Sequence, residues 1–285
     1  MKKKVGYKKG GRTKNKQVLE TIKIYQSLNP TEFRFETTSV WDFPIRGTWA
    51  THNPKYRGNF APQIARNLIL NYSEEGELIL DPMVGSGTTL IEAKLLHRNA
   101  IGIDVNKDAV SLTERALNFD YKTESKQTVE LGDARDLSIF DGNQFDLIII
   151  HPPYLNIVKY SKGQNKNDLS SIGSLPKFLN EMERVVAELF RVLKPNRFCA
   201  ILIGDTRKAQ HYVPISYNVL NLFLNAGFAL KEEIIKAQHN CVYSKRWEQK
   251  AKEYKFYLIM HEHLFVFRKP KKDEDLSKIR WSIKK

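Results

Sequence analysis

A strand, a glycine turn, a helix and a second strand in succession restrict the fold of this chain more than any other feature. The apolar run at residues 78–80 is typical of a buried strand, and the glycine turn follows at residues 85–87. A helix is predicted over about residues 88–96 and a second strand over residues 100–105. This order predicts an α/β fold with a parallel sheet, in which ligands bind at the carboxyl ends of the strands.

The glycine turn is typical of a site for a nucleotide-type cofactor. Gly85 and Gly87 allow the backbone to approach a ligand closely, and the first amide groups of the following helix face that ligand. Asp104, near the end of the second strand, is placed to accept hydrogen bonds from ribose hydroxyls. The turn reads GSG after Asp81-Pro82 instead of GxGxxG, and this difference argues against a dinucleotide cofactor.

A second motif, HPPY at residues 151–154, follows an almost wholly apolar strand predicted over residues 145–150. DPMVGSGTT followed by HPPY resembles the S-adenosylmethionine-dependent methyltransferases that modify exocyclic amino groups of bases, which include N(4)-cytosine and N(6)-adenine DNA methyltransferases. The resemblance extends over about residues 60–267. It implies a Rossmann-like class I methyltransferase fold, whose seven-stranded, mostly parallel sheet has an antiparallel last strand and helices on both faces.

The rest of the chain shows further helical and strand patterns. Helices are predicted over residues 17–28, 60–72, 109–119, 175–193 and 216–226. Strands are predicted over residues 128–131, 199–203, 229–237 and 264–268. Lys194-Pro195-Asn196 is expected to end the longest of these helices.

The resemblance implies S-adenosyl-L-methionine as the cofactor. The residues expected to hold it lie in the glycine motif, at the ends of the next two strands and before the motif: Asp81, Pro82, Met83, Gly85, Ser86, Gly87, Thr88, Asp104, Val105, Asp133, Ala134, Phe60 and Pro62. Asp133 follows a predicted strand, and the N-cap of an ordinary loop is the alternative interpretation of this residue. Met83 stands where phenylalanine is commoner in the family.

The resemblance places catalysis at His151, Pro152, Pro153 and Tyr154. An exocyclic amino nitrogen is a poor nucleophile because its lone pair is delocalised into the ring. In the family, the first side chain of the motif and the carbonyl of the first proline accept the two amino hydrogens and free that lone pair. The tyrosine stacks on the base after the base leaves its helix. The two prolines fix the backbone before substrate arrives.

His151 departs from the family pattern, in which Asp, Asn or Ser is the first residue of the motif. A neutral imidazole accepts one hydrogen bond through one nitrogen. Because Ser is associated with cytosine, and Asp or Asn with adenine, His151 leaves the target base open. A catalytically silent nucleic-acid-binding protein of the same fold is an alternative that this departure keeps open.

The charge of the chain favours a polyanionic partner. Lys and Arg number 46 against 32 Asp and Glu, which gives a net charge of +14. With base-methylating motifs present, nucleic acid is the expected partner, DNA before RNA, and a restriction enzyme as a further partner stays open. The predicted nucleic-acid contacts are Trp49, Arg46, Lys55, Arg57, Lys159, Lys245 and Arg246. For the segment around Trp49, an equal alternative is that the aromatic side chains pack into the edge of the core instead of contacting nucleic acid.

The expected organisation is a methyltransferase domain with short additions on both sides. The predicted parts are a basic tail over residues 1–16, an N-terminal helix and aromatic, basic substrate-side segment over 17–59, the methyltransferase domain over 60–270 and a charged tail over 271–285. Within the domain, residues 156–173 are predicted to form a lid loop and residues 239–257 a substrate-side insertion, with a surface hairpin as the alternative for the latter.

Two absences in the sequence set the expected compartment. No apolar run approaches the roughly 20 residues of a membrane span, and the N-terminus lacks the apolar core of a signal peptide. Cys199 and Cys241 do not have the spacing of metal ligands. We therefore expect a cytoplasmic protein that binds no metal and no membrane.

Overall fold

The computed structural model of the chain describes residues 27–56, 58–156, 168–239 and 244–284, and it leaves the side chains of residues 244–246 undescribed. The strands are β1 Val40–Trp41, β2 Leu78–Asp81, β3 Asn99–Asp104, β4 Gln127–Leu131, β5 Phe145–Ile150, β6 Leu193–Ile203, β7 Thr206–Lys208, β8 His211–Val213, β9 Ala229–Ala237 and β10 His261–Arg268. The α-helices are α1 Pro62–Tyr72, α2 Thr88–Leu95, α3 Lys107–Leu117, α4 Leu175–Val192, α5 Ile215–Asn225 and α6 Ser244–Glu253. The helix predicted over residues 17–28 falls almost wholly outside this description.

Eight strands form one sheet in the order β1-β9-β10-β6-β5-β2-β3-β4. β10 is antiparallel to both of its neighbours, β6 and β9, and the other neighbouring pairs are parallel. The predicted mostly parallel sheet with an antiparallel last strand is therefore confirmed. The remaining two strands, β7 and β8, form a separate antiparallel hairpin.

The predicted number of seven strands is wrong by one, because the structure adds β1 at the edge of the sheet. Val40 pairs with Ile235 and Trp41 with Lys236. Two residues are too few to show the alternation of apolar and polar side chains that signals a strand. The backbone partner offered by β9, rather than a local preference, makes this segment extended.

Helices cover both faces of the sheet and bury a core on each. The first core contains α4 and α5 side chains such as Phe178, Val185 and Phe223. The second contains Ile64 of α1 and Leu90 of α2. Each such side chain contributes roughly 1.5–3 kcal/mol when it is fully buried. All six residues of β5 are buried because they lie between these layers in the middle of the sheet.

The end of α4 differs from expectation in one respect. The helix stops at Val192, as the Lys-Pro-Asn sequence predicts, but β6 starts at once instead of near residue 199. Leu193 pairs with Phe145, and the next pair is Phe198 with Leu147, so residues 194–197 bulge out of the ladder. A proline lacks the amide hydrogen of a regular ladder, and a bulge accommodates it.

Among the helices in the described ranges, none combines the length and the apolar character that a membrane crossing requires.

Candidate active site

A cavity lies at the carboxyl ends of β2, β3 and β5, where ligands bind in sheets of this type. It encloses about 790 Å³ of space, including the part open to solvent. The lining residues are Tyr56, Gly58, Asn59, Phe60, Pro82, Met83, Val84, Gly85, Ser86, Thr88, Asp104, Val105, Asn106, Asp133, Ala134, His151, Pro153, Asp168 and Leu169.

Ten of the thirteen residues predicted to hold the cofactor line this cavity. Asp81, Gly87 and Pro62 are the three that do not. Asp81 is buried behind the wall, where its carboxylate accepts a hydrogen bond from the Met83 amide at 3.2 Å. Burial raises the pKa of Asp81 to about 7. Asp81 therefore shapes the loop from behind instead of facing the cavity.

The glycine turn requires glycine at both positions. Gly85 and Gly87 have φ values of 54° and 81°, a backbone conformation that residues other than glycine rarely adopt. A Cβ atom at Gly87 would lie 2.9 Å from Thr113 Cγ2, and one at Gly85 would lie 3.2 Å from the Tyr56 ring. Gly85 lines the cavity, whereas Gly87 forms the left-handed N-cap of α2.

Asp104 links the first two strand ends of the site. One carboxylate oxygen accepts a hydrogen bond from the Gly85 amide at 3.0 Å, and the other accepts one from the Asn106 amide at 2.9 Å. Burial raises the pKa of Asp104, although these two amides act in the opposite direction. The carboxylate is thus oriented at the cavity wall before any ligand is present.

Asp133 is held by a neighbouring arginine. The Arg135 guanidinium donates to the Asp133 carboxylate from Nε at 2.9 Å and from Nη2 at 2.6 Å. Burial acts to raise the pKa of Asp133, but the hydrogen bonds and charge of Arg135 hold it below its usual value. Asp133 and Ala134 both line the cavity, at the end of β4.

Seven lining residues were not predicted from the sequence: Tyr56, Gly58, Asn59, Val84, Asn106, Asp168 and Leu169. The first three belong to the aromatic, basic segment, and the Asn59 amide donates to Ser86 Oγ at 3.1 Å. The last two stand near the end of the predicted lid loop, whose residues 157–167 lie outside the described part. In the sequence, Asn59, Val84 and Asn106 are signalled only by their position beside predicted residues.

The HPPY motif begins where β5 ends, and His151 and Pro153 line the cavity. His151 Nε2 lies 2.7 Å from the Tyr154 hydroxyl, and the Phe60 ring packs edge-on against the imidazole with 5.5 Å between ring centroids. Burial lowers the pKa of His151 to about 4. The imidazole is therefore neutral at pH 7 and retains one acceptor nitrogen.

Tyr154 has contacts at its hydroxyl as well as at its ring. The hydroxyl donates to Glu262 Oε1 at 2.7 Å, and the other carboxylate oxygen of Glu262 lies 2.9 Å from Lys236 Nζ. A Cβ atom at Gly204 would lie 2.6 Å from the tyrosine ring, so only glycine allows this approach. Lys236 and Glu262 belong to strands without a motif, so no sequence pattern indicates their place beside the site.

The prediction that Trp49 contacts nucleic acid is corrected by the structure. Trp49 is only 8% exposed, and its indole N–H donates to Glu92 Oε1 at 2.6 Å. His52 Nε2 lies 2.6 Å from the same carboxylate oxygen. A ring that is packed and hydrogen-bonded inside the protein is not available for stacking on a base, so the alternative of an aromatic plug applies.

The other predicted nucleic-acid contacts are divided by the structure. Arg46 is half-buried and donates to the Asn59 carbonyl at 3.3 Å, and burial lowers its pKa to about 10. Lys55 is exposed. Arg57, Lys159 and the side chains of Lys245 and Arg246 lie outside the described residues.

The predicted insertion at residues 239–257 contains α6 instead of forming a plain hairpin. On α6, Trp247 is 45% exposed, and the Lys250 ammonium lies 4.8 Å from its ring centroid. Arg207 of β7 donates to the Tyr257 carbonyl at 2.8 Å and lies over the Phe256 ring. The β7–β8 hairpin thus contacts the α6 segment, defined as residues 244–257, and the two present aromatic and cationic groups.

Comparison with known proteins identifies the family. The model of a family of N6- and N4-methylating enzymes, described as "DNA methylase", matches residues 2–115 and 145–285. Type II methyltransferase M.HpaI of Haemophilus parainfluenzae is 33% identical over 100 residues, which are 35% of this chain and 31% of that protein. The tRNA (guanine(10)-N2)-dimethyltransferase of Pyrococcus abyssi is 36% identical over 94 residues, which are 33% of this chain and 28% of that protein. The alignments thus span less than a third of these two relatives.

Solved structures agree with the fold. A SAM-dependent methyltransferase of Methanosarcina mazei has a TM-score of 0.50 and 19% identity, with 71% of this chain and 97% of that chain covered. TrmN of Thermus thermophilus has the same TM-score and identity, with 75% of this chain and 51% of that chain covered. At this identity the similarity concerns the fold alone. With the family match over most of its length, the chain belongs to the N6/N4 DNA methylase family, whose members are S-adenosylmethionine-dependent amino-group methyltransferases.

Proposed function

We propose that this protein transfers a methyl group from S-adenosyl-L-methionine to the exocyclic amino group of a base in DNA, at N(4) of cytosine or N(6) of adenine. The observation that carries the proposal is the shared cavity. Its wall contains the glycine turn at Gly85 and, at the end of β5, His151 with Pro153. The predicted cofactor motif and the first residue of the predicted catalytic motif therefore meet in one cavity.

The residues around the cavity fit S-adenosylmethionine. The bare backbone at Gly85 permits close approach, and Phe60 and Met83 supply apolar surface. Asp104 would accept hydrogen bonds from the ribose hydroxyls, and Asp133 would contact the adenine amino group. When bound, this cofactor supplies a methyl group that its sulfonium charge activates.

His151 is suited to hold one amino hydrogen of the target base. Its neutral imidazole has a lone pair at pH 7, because burial lowers its pKa to about 4. The carbonyl of Pro152 would accept the second amino hydrogen. These two hydrogen bonds draw the amino nitrogen out of conjugation with the base, so its lone pair becomes available for attack. The adjacent prolines and the Phe60 contact keep the acceptors in position.

The charge distribution supports a nucleic-acid substrate. The chain has a net charge of +14, which favours phosphate contacts and makes affinity dependent on salt. Exposed aromatic residues next to cations, such as Trp247 with Lys250, are suited to unpaired bases and to the backbone. We assign the β7–β8 hairpin and the α6 segment to substrate recognition.

DNA is favoured because the matching family is described as "DNA methylase", and relatives such as M.HpaI are named type II methyltransferases. The second candidate is a methyltransferase for a base amino group in RNA. It is favoured by the similarity to a protein named tRNA (guanine(10)-N2)-dimethyltransferase.

One experiment tests both candidates. The protein is incubated with methyl-labelled S-adenosylmethionine and separate pools of genomic DNA, transfer RNA and ribosomal RNA, and each product is digested to nucleosides. We expect label in N(4)-methylcytosine or N(6)-methyladenine from the DNA pool, and a loss of that label with His151→Ala. Label confined to an RNA pool would select the second candidate, and no label in any pool would contradict both.

A further inference from the structure

A line of four polar side chains runs from the sheet into the cavity wall. Lys236 of β9 and Glu262 of β10 are direct cross-strand partners, and their side chains are 2.9 Å apart. Glu262 Oε1 lies 2.7 Å from the Tyr154 hydroxyl oxygen, and that oxygen lies 2.7 Å from His151 Nε2. Only His151 of the four lines the cavity. Lys236 and Glu262 therefore act on a substrate only through Tyr154 and this imidazole, or through the shape of the site.

The direction of the hydrogen bonds follows from the charge of Glu262. Burial acts to raise the pKa of Glu262, but the charge of Lys236 and the hydrogen bonds from Lys236 and Tyr154 hold that pKa below its usual value. Glu262 is therefore a carboxylate, which only accepts hydrogen bonds. Tyr154 has a single hydroxyl proton, and it donates this proton to Glu262. The Tyr154 oxygen is then left as the acceptor toward His151.

The Tyr154 oxygen also determines which nitrogen of the His151 imidazole carries the proton. A neutral histidine carries one N–H, and at His151 that N–H must be on Nε2, because Nε2 faces an acceptor oxygen. We propose that Lys236 and Glu262 are positioning residues that act through Tyr154 and hold His151 in the Nε2–H tautomer, which leaves Nδ1 unprotonated as the acceptor for the amino group. This assignment deepens the proposed function and rests on it.

The line of residues also explains how histidine can stand at the first position of the motif. An aspartate accepts hydrogen bonds through either oxygen and needs no partner to set its protonation. An imidazole with its proton on Nδ1 would present a donor to the amino group, and two donors do not bind each other. A histidine at this position therefore requires a group that selects its tautomer. Glu262, 111 positions further along the chain, is that group.

Glu262→Gln is the informative substitution, because a glutamine side chain has a donor at one end and an acceptor at the other. Lys236 attracts the amide oxygen, so the amide nitrogen turns toward Tyr154 and donates to its oxygen. The tyrosine proton then points to His151 Nε2, and the imidazole proton moves to Nδ1. An imidazole in the wrong tautomer costs serine proteases up to ~10⁴ in rate. We expect single-turnover methyl transfer to fall by about 10²-fold, with cofactor affinity within about twofold of wild type.

The double variant Lys236→Met/Glu262→Gln separates this role from a structural one. Without the cation, the amide oxygen is free to face Tyr154 and restore the original direction of the hydrogen bonds. We expect the double variant to be at least about tenfold faster than Glu262→Gln. A purely structural pair would lose more activity when both members change. Glu233→Gln is the matched control, since Glu233 on the same strand as Lys236 contacts His263 Nδ1 at 2.9 Å, away from the cavity.

The tautomer itself is measured by ¹⁵N NMR of histidine-labelled protein, with His151→Asn to assign the signals. We expect the proton on Nε2 in the wild type and on Nδ1 in Glu262→Gln. A wild-type proton on Nδ1, or an unchanged tautomer and rate in Glu262→Gln, would overturn the proposal. The NMR result does not depend on methyl transfer. If no pool of nucleic acid is methylated while the tautomer changes as expected, the proposed function fails and the control of the imidazole proton stands.

Discussion

Glu92 on α2 and Glu262 on β10 are both buried carboxylates, but they differ in what surrounds them. Glu92 accepts hydrogen bonds from Trp49 at 2.6 Å and from Arg66 at 2.9 Å, and it also contacts His52. None of these partners lines the cavity. Glu262 contacts Lys236 on one side and, through Tyr154, a residue of the cavity wall on the other.

The difference separates two uses of a buried negative charge. Around Glu92, three donors from the N-terminal segment and α1 converge, so the carboxylate attaches that segment to the helices of the domain. Around Glu262, the hydrogen bonds form a line from Lys236 through Tyr154 that ends at the imidazole of His151. Replacing Glu92 should therefore lower the stability of the fold, whereas replacing Glu262 should lower the rate of methyl transfer.

Glu92→Ala should lower the free energy of unfolding by about 3–5 kcal/mol, since it leaves the largely buried Arg66 guanidinium without its carboxylate. Urea denaturation measures the loss. The rate of methyl transfer per folded molecule should stay within about threefold of wild type. A loss below about 1 kcal/mol would show that Glu92 does not hold the segment in place.

His151→Ala should lower the rate of methyl transfer much more than it changes the stability of the fold. Loss of one positioned acceptor commonly lowers a rate by about 10²–10⁴-fold. Single-turnover assays with saturating cofactor and nucleic acid measure this fall, and calorimetry should find the cofactor affinity almost unchanged. Methyl transfer at the wild-type rate would remove His151 from the reaction and leave Pro152 and Tyr154 as the groups that act on the base.

Asp104→Ala tests the cofactor side of the cavity. It should weaken the binding of S-adenosylmethionine by about 1–3 kcal/mol, the scale of a lost hydrogen bond to a charged group. Calorimetry gives the affinity directly, and Asp108→Ala on the exposed first turn of α3 is a suitable control. An affinity equal to wild type would exclude the ribose role for Asp104.

The pH dependence of His151 should be the smallest effect at neutral pH, because it appears only in acid. Burial lowers the pKa of His151 from 6.5 to about 4, so the folded protein binds no proton there across that interval while the unfolded chain does. His151 therefore destabilises the fold progressively as pH falls from 6.5 to 4. In the pH profile of the methyl-transfer rate, the fall in acid that is caused by protonation of His151 should lie near pH 4. His151→Asn should remove that fall, and a fall near pH 6.5 in the wild type would contradict the burial of the imidazole.

The parts of the structure that the sequence predicts best are those whose residues are neighbours in the chain. β5 and β9 have their predicted limits, and most of the glycine motif lines the cavity. Such segments carry their pattern locally, through apolar runs and glycine spacing. The HPPY motif is equally local, and His151 lines the cavity.

The parts that were missed depend on contacts between distant segments. Glu262 and Lys236 become neighbours only through the register of β9 and β10, and this register is not visible before the topology is known. Trp49 looks like a residue for base stacking until its indole is seen to reach Glu92, 43 positions away in the chain. The two-residue strand β1 is likewise a product of its partner.

The position of β10 has a consequence for the order in which the enzyme becomes competent. β10 is the last strand of the sheet in the chain, yet it lies between β6 and β9. During synthesis, the residues that line the cavity up to Leu169 emerge well before Glu262. Until β10 is inserted, β6 has an open edge, and His151 lacks the carboxylate that we propose orients its proton. The cavity-lining residues are thus complete early, whereas the proposed methyl transfer waits for the final strand.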